Sequence, residues 1–192
     1  MNNNNKRVYV MAFCGISVAM NIVLGMITSA LAIPLYLDTL GTVLSAALLG
    51  PVPGVIVGFL TNTINGLMSS LSSIPFALVN MAVGLIVGLV ARKRPLSFVS
   101  ALITGLVLSV VCPAIGTPIG IFVYGGLQGN IFDVIVTGMV QSGQSLFAAS
   151  FVSKITSNFI DKVGTMIVAF LLLKAMPPRF LSFFKEEAKE NA

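Results

Sequence analysis

Apolar residues run almost without a break from Val8 to Ala91, and between Arg7 and Arg92 the one formally charged side chain is Asp38. No element of a soluble core needs a run of that length, whereas one helical crossing of a bilayer takes roughly 20 apolar residues. The stretch therefore predicts about four crossings. Proline and glycine mark the joints, as they do at helix stops. The first span is expected over 8–32 and ends at Pro34. A second, shorter one covers 37–49 and stops at Gly50-Pro51-Val52-Pro53. The third covers 54–68, followed by Ser69, Ser70, Ser72, Ser73 and Pro75. The fourth covers 76–91 and is closed by Arg92-Lys93-Arg94-Pro95. Beyond Pro95 three apolar segments remain, 96–111, 131–152 and 164–176, with a Gly/Pro-rich stretch over 113–129.

The positive charges decide how these segments thread. They sit in three places: Lys6 and Arg7, then Arg92 to Arg94, then Lys174, Arg179, Lys185 and Lys189. If all three face the cytoplasm, an even number of crossings joins each pair. Four crossings satisfy the first interval and two the second, so one of the last three segments does not cross. The segment 131–152 carries Asp133, Gln141, Ser142, Gln144 and Ser145. It is too polar to face lipid and is expected as an outward-facing, partly re-entrant lid. The reading is an all-α integral membrane protein with six transmembrane helices, both termini cytoplasmic and one membrane domain over 1–192. Seven spans with the C-terminus outside is the competing arrangement. The polar start, residues 1–5, precedes a run longer than a signal peptide's core, which reads as a retained first span. No internal repeat relates the two halves, which argues mildly against inverted-repeat transporters.

Composition agrees. Charged residues make up 9% of the chain, against about 25% in soluble domains, and the mean hydropathy is +1.00. The net charge of +5 flanks apolar runs, so it reads as a topology signal and not as a nucleic-acid surface. Histidine and tryptophan are absent, which removes histidine bases, triads and metal ligands. Cys14 and Cys112 lie far apart in apolar runs and read as small hydrophobes.

Asp38 reads as the one deep acid, and an ionisable group at that depth is costly and marks function. It either pairs with a bound solute or caps the second helix; both roles are compatible. Thr61, Asn65 and Ser69 share a helix face, with Asn62 beside them. These amides, with Asn80, suit a heteroaromatic solute, or else they glue helices together. Gln141 and Gln144 are expected to point down from the lid, and Tyr124, before Gly125-Gly126, to stack on a flat ring; loop solvation is the alternative for all three. Tyr36 joins this substrate-binding set. Gly54/Gly58 and Gly84/Gly88 carry the small-xxx-small spacing that lets helix backbones approach. Gly15 and Ala19 repeat it, and either pack internally or present a docking face. Asp133, Lys154, Asp161 and Lys162 read as outer-surface charges or internal pairs. No relay of ionisable residues runs through the membrane, and no P-loop pattern is present. Ion-driven antiport is unsupported, the chain does not itself hydrolyse ATP through a P-loop, and an intramembrane enzyme has neither histidine nor a paired-aspartate motif to work with.

These features together resemble the substrate-binding S components of energy-coupling factor (ECF) transporters. The residues carrying the resemblance are Leu48-Leu49-Gly50-Pro51-Val52-Pro53-Gly54 with Gly58 and Asn62, the preceding Tyr36-Leu37-Asp38-Thr39-Leu40-Gly41-Thr42, and the tail from Asp161 to Pro177. The resemblance implies a high-affinity vitamin binder that topples in a prokaryotic plasma membrane. It would dock on a transmembrane T subunit driven by two cytoplasmic ATPases, which use ATP and Mg; no cofactor is expected in this chain. Where the family's docking pattern is typically Ala-x-x-x-Ala, this chain has Gly15-Ile16-Ser17-Val18-Ala19. Within the family, the amides and the deep acid, with no Lys or Arg inside spans one to four, point to a vitamin B6 form or hydroxymethylpyrimidine. Pantothenate or another vitamin is the alternative, and a stand-alone solute facilitator is the competing class.

Overall fold

The computed structural model describes residues 3–31, 36–127 and 133–190. The described chain is helical throughout: α1 (Asn3–Ala30), α2 (Leu40–Leu49), α3 (Pro51–Met68), a 3-10 segment (Leu71–Phe76), α4 (Ala77–Lys93), α5 (Phe98–Tyr124), α6 (Asp133–Gln141), α7 (Leu146–Ala175) and α8 (Pro178–Glu190). Ala32 and Pro34, the expected end of the first span, and Gly129 and Ile131 lie outside the described residues.

Local chemistry sets the helix ends. Gly50 takes φ 96 between α2 and α3, and Pro51 follows at the first turn of α3, where its missing N–H costs nothing. The Ser97 hydroxyl accepts from Ser100 N at 3.2 Å and starts α5. The Ser145 hydroxyl accepts from Ala148 N at 3.2 Å and starts α7. Gly125, at φ 66, ends α5, in the left-handed conformation common after a helix.

Two expected boundaries are corrected. The helix predicted over 96–111 continues through Pro113 and Pro118 to Tyr124. A proline inside a membrane helix frees only a carbonyl or two, which neighbouring groups satisfy. The helix that carries the last apolar segment, α7, begins at Leu146, not near 164. Its early polar residues, Ser150, Ser153, Ser157 and Asp161, are buried, while Phe147, Val152, Phe159 and Ile160 are exposed. The outward face thus stays apolar where the sequence looked too polar to span.

Among the described residues, four segments are long and apolar enough to cross a bilayer: Lys6–Ala30, Leu71–Lys93, Phe98–Tyr124 and Leu146–Ala175. The apolar α2 has 10 residues, which is about 15 Å of helix, half of a hydrocarbon layer of about 30 Å. The described part of the expected lid, 133–152, divides into the short α6 and the first turns of α7. At nine residues, α6 is too short to cross.

The chain runs back and forth between two ends. One gathers Arg7, Arg92 and Lys174; the other carries the 3-10 segment, Tyr124 and α6. At the centre lies α2, with nine of its residues buried among Val83, Val87, Leu108 and Met166. The joint between α3 and α4 is built on glycine. A Cβ on Gly54 would stand 2.6 Å from Ala46 Cβ and 3.1 Å from Gly84 Cα, so these backbones meet only because no side chain intervenes. At the basic end α8 folds under the bundle. Phe184, 3% exposed, packs with Leu48 and Leu49, and its ring lies 5.0 Å from that of Phe13.

Candidate functional site

Four helices are tied by one chain of buried side chains. Asn21 of α1 donates from Nδ2 to Thr42 Oγ1 and to Thr61 Oγ1, each at 3.0 Å. Its Oδ1 accepts from Gly41 N at 2.6 Å. Thr42 donates to Asn80 Oδ1 at 2.8 Å, and Asn80 Nδ2 donates to Asn62 Oδ1 at 2.9 Å. Gly41 lies in the first turn of α2, whose amides have no partner within their own helix. Thr39, at the cap position, makes no side-chain cap bond. A neighbouring helix therefore caps α2. Thr61, Asn62 and Asn80 bond inside this lattice, the helix-joining arrangement.

A charged cluster stands midway along α7. Asp161, midway along α7, is 0% exposed. Its Oδ1 accepts from Tyr36 N at 2.7 Å and from Leu37 N at 3.2 Å, and its Oδ2 lies 2.7 Å from Lys162 Nζ. Lys162, 5% exposed, also donates to Thr39 Oγ1 at 3.2 Å. Asp38 Oδ1 is 3.8 Å from the same ammonium, beyond hydrogen-bond reach, and is a buried oxygen with no hydrogen-bond partner among the described residues. The Asp38 side chain is 45% exposed. Two carboxylates thus share one ammonium, and Asp38 is the open one. The expectation of a single deep acid is corrected: Asp161 is the more deeply buried, and Asp161 with Lys162 is an internal pair. Thr39, not Asp38, occupies the cap position of α2.

The segment from Tyr36 to Thr39 packs against the last two turns of α1. Thr28 donates to Tyr36 O at 2.8 Å, and a Cβ on Gly25 would be 3.4 Å from Asp38 Cβ. Above it, α7 turns a buried stripe of Ser150, Ser153 and Ser157 inward, spaced three and four apart. Lys154 of the same helix donates to Gly116 O at 2.8 Å and stands 5.8 Å from the centre of the Phe76 ring. Phe76 is stacked with Tyr124 at 6.0 Å and 25°. The half of the bundle beyond α2 thus holds an open carboxylate, an amine, hydroxyls and a pair of flat rings. Such a set can orient a small polar ring compound by charge, hydrogen bond and stacking.

Comparison with known families decides what kind of protein holds this arrangement. The sequence model of the ECF transporter substrate-specific component matches residues 2–173. The chain belongs to that family. No match is found among curated proteins or solved structures. The protein is therefore a multi-pass membrane subunit that binds substrate for a transporter, and not an enzyme. The helix α8 lies beyond the matched residues.

In this S component the remaining expected residues are scattered. Tyr36, Asp38 and Tyr124 border the polar half. Asn65, on α3, is partly buried, and its backbone carbonyl accepts from both Ser69 N and Ser69 Oγ. Gln141 and Gln144 are exposed around the turn that follows α6. Gly15 and Ala19 are exposed on α1, and a Cβ on Gly15 would meet nothing within 4 Å. Three contributors went unnoticed in the sequence. Asn21, a lone amide in an otherwise apolar span, was visible as such. The stripe on α7 was signalled by its three-and-four spacing. Phe76 carried no signal of its own.

Proposed function

We propose that this S component binds a small water-soluble vitamin or precursor in the polar half of the bundle beyond α2. The lead solutes are hydroxymethylpyrimidine and a vitamin B6 form. It hands the solute to an ECF module made of a T subunit and two ATPases that use ATP and Mg. It sits in a prokaryotic plasma membrane as a single domain over 1–192, with six spans and both termini cytoplasmic, and α6 with its following turn forms the outer lid. In this reading Tyr36, Asp38 and Tyr124 touch the solute, Asn62 and Asn65 border it from α3, Asn80 holds the wall behind, Gln141 and Gln144 close from the lid, and Gly15 and Ala19 meet the T subunit.

One observation carries the reading: a half-length α2 ends at an open carboxylate, beneath the polar face of α7 and a stacked aromatic pair. A neutral or cationic ring fits Asp38, and the planes of Phe76 and Tyr124 fit its faces. A second reading, pantothenate or another anionic vitamin, is favoured by Lys154, whose ammonium has donors beyond its bond to Gly116 O.

Mass spectrometry of small molecules co-purifying with the protein tests both. A vitamin-sized ring compound is expected, and a carboxylate-bearing solute would select the second reading. Uptake in cells is expected to require the ATPase subunits. Vesicles holding this chain alone that accumulate solute against a gradient would overturn the proposal.

A further inference from the structure

Asp161 does more than neutralise a lysine. One of its oxygens gathers two consecutive backbone N–H groups, those of Tyr36 and Leu37, at 2.7 and 3.2 Å. Leu37 has φ 49, and no other described non-glycine residue has a positive φ. A leucine persists in that region only where its surroundings impose it. Two successive amides converging on one anion form a nest, and here the anion comes from the middle of a 30-residue helix and is wholly buried. The nest lies between the side chains of Tyr36 and Asp38. Lys162 secures the next residue through Thr39 Oγ1.

We infer that Asp161 is the positioning residue of the solute site. It holds the backbone of Tyr36 and Leu37 in its strained turn and so aims the Tyr36 ring and the Asp38 carboxylate. Lys162 balances Asp161 and leaves Asp38 for the solute. The inference rests on the reading of the polar half as the solute site. It adds a residue that touches no solute yet sets how tightly one is held.

The test compares two double variants in nanodiscs. In Asp161→Leu with Lys162→Met, the charges and the acceptor are both gone. In Asp161→Asn with Lys162→Met, the charges are gone but an acceptor oxygen stays. Replacing a buried ion pair by neutral groups of similar size is often harmless to stability, so the two should melt within a few degrees of each other. Hydrogen exchange over residues 36–40 and the amount of co-purifying small molecule are measured for each. The leucine variant is expected to exchange at Tyr36 and Leu37 at least about tenfold faster and to retain at least about tenfold less solute, the loss of one to two buried hydrogen bonds. The asparagine variant should recover most of both. Equal behaviour of the two, or faster exchange without loss of solute, overturns the inference. The unmodified protein offers a check that needs no variant: these two amides should exchange as slowly as those of α2, and loop-like rates would sink the idea. If wild-type protein carries no small molecule, the vitamin-binding reading fails, and exchange alone judges whether Asp161 holds the loop.

Discussion

Removing the Asn21 side chain should cost more than removing any other member of the polar lattice. Asn21→Ala deletes three hydrogen bonds, to Thr42, Thr61 and Gly41. The two hydroxyl bonds are each worth about 0.6 kcal/mol by the average for polar contacts between membrane helices. The Gly41 amide is different. It sits buried in the first turn of α2 with no other acceptor among the described residues, and an orphaned buried N–H costs about 1–3 kcal/mol. The total is about 2–4 kcal/mol. Asn80→Ala is the control. It removes two side-chain bonds and orphans no backbone group, so about 1 kcal/mol is expected. Unfolding by SDS titration in mixed micelles, followed by circular dichroism, measures both. The difference is the point of the experiment. If Asn80→Ala costs as much as Asn21→Ala, α2 is not capped by its neighbour, and the account of why this short helix is stable is wrong.

Other expectations follow from the same packing. Gly54→Val places side-chain carbon where Ala46 and Gly84 already stand; overpacking of about 1–3 kcal/mol or more should sharply reduce the monodisperse fraction on gel filtration. Gly15→Leu meets open space, so folding and solute retention should be unchanged while uptake by the complete transporter falls; lost retention instead would argue against a docking role. Phe184→Ala empties a pocket lined by Phe13, Phe180 and Phe183 and should lower stability by about 3 kcal/mol. Solute affinity should not change, because this cluster lies at the far end from Tyr124; a matching loss of affinity would show that the two ends are coupled.

The sequence showed where the chain turns better than what its polar residues do. The joints at Gly50, Arg92 to Arg94 and Met176 are local events, written in residues whose backbone or charge has few alternatives. The route of α5 through Pro113 and Pro118 was illegible for the opposite reason. Proline usually ends a helix in water, whereas within a membrane bundle neighbouring groups can take up the freed carbonyls, and no local pattern tells the two settings apart. The same gap separates Asn80 from Asp38. Both are polar residues in apolar surroundings, yet one finds its partners within the lattice and the other keeps an oxygen open. Which fate applies depends on Thr42 for the one and Lys162 for the other, both far away in sequence. Of the two readings open for Asp161 and Lys162 the internal pair holds; its depth was illegible because the last apolar segment reads from 164, whereas the helix begins fifteen residues before Asp161.

The short α2 also bears on insulation. If the space beyond it is wetted, the electrically resistive part of the protein shrinks to about 15 Å, and most of any transmembrane voltage falls across the apolar plug of Val43, Leu44 and Leu48 and the phenylalanine seal of α8. A cation resting on Asp38 would then lie almost on the equipotential of the outer solution. Its docking should be nearly insensitive to membrane voltage, and the whole electrical work would fall on the later step that carries it past the plug.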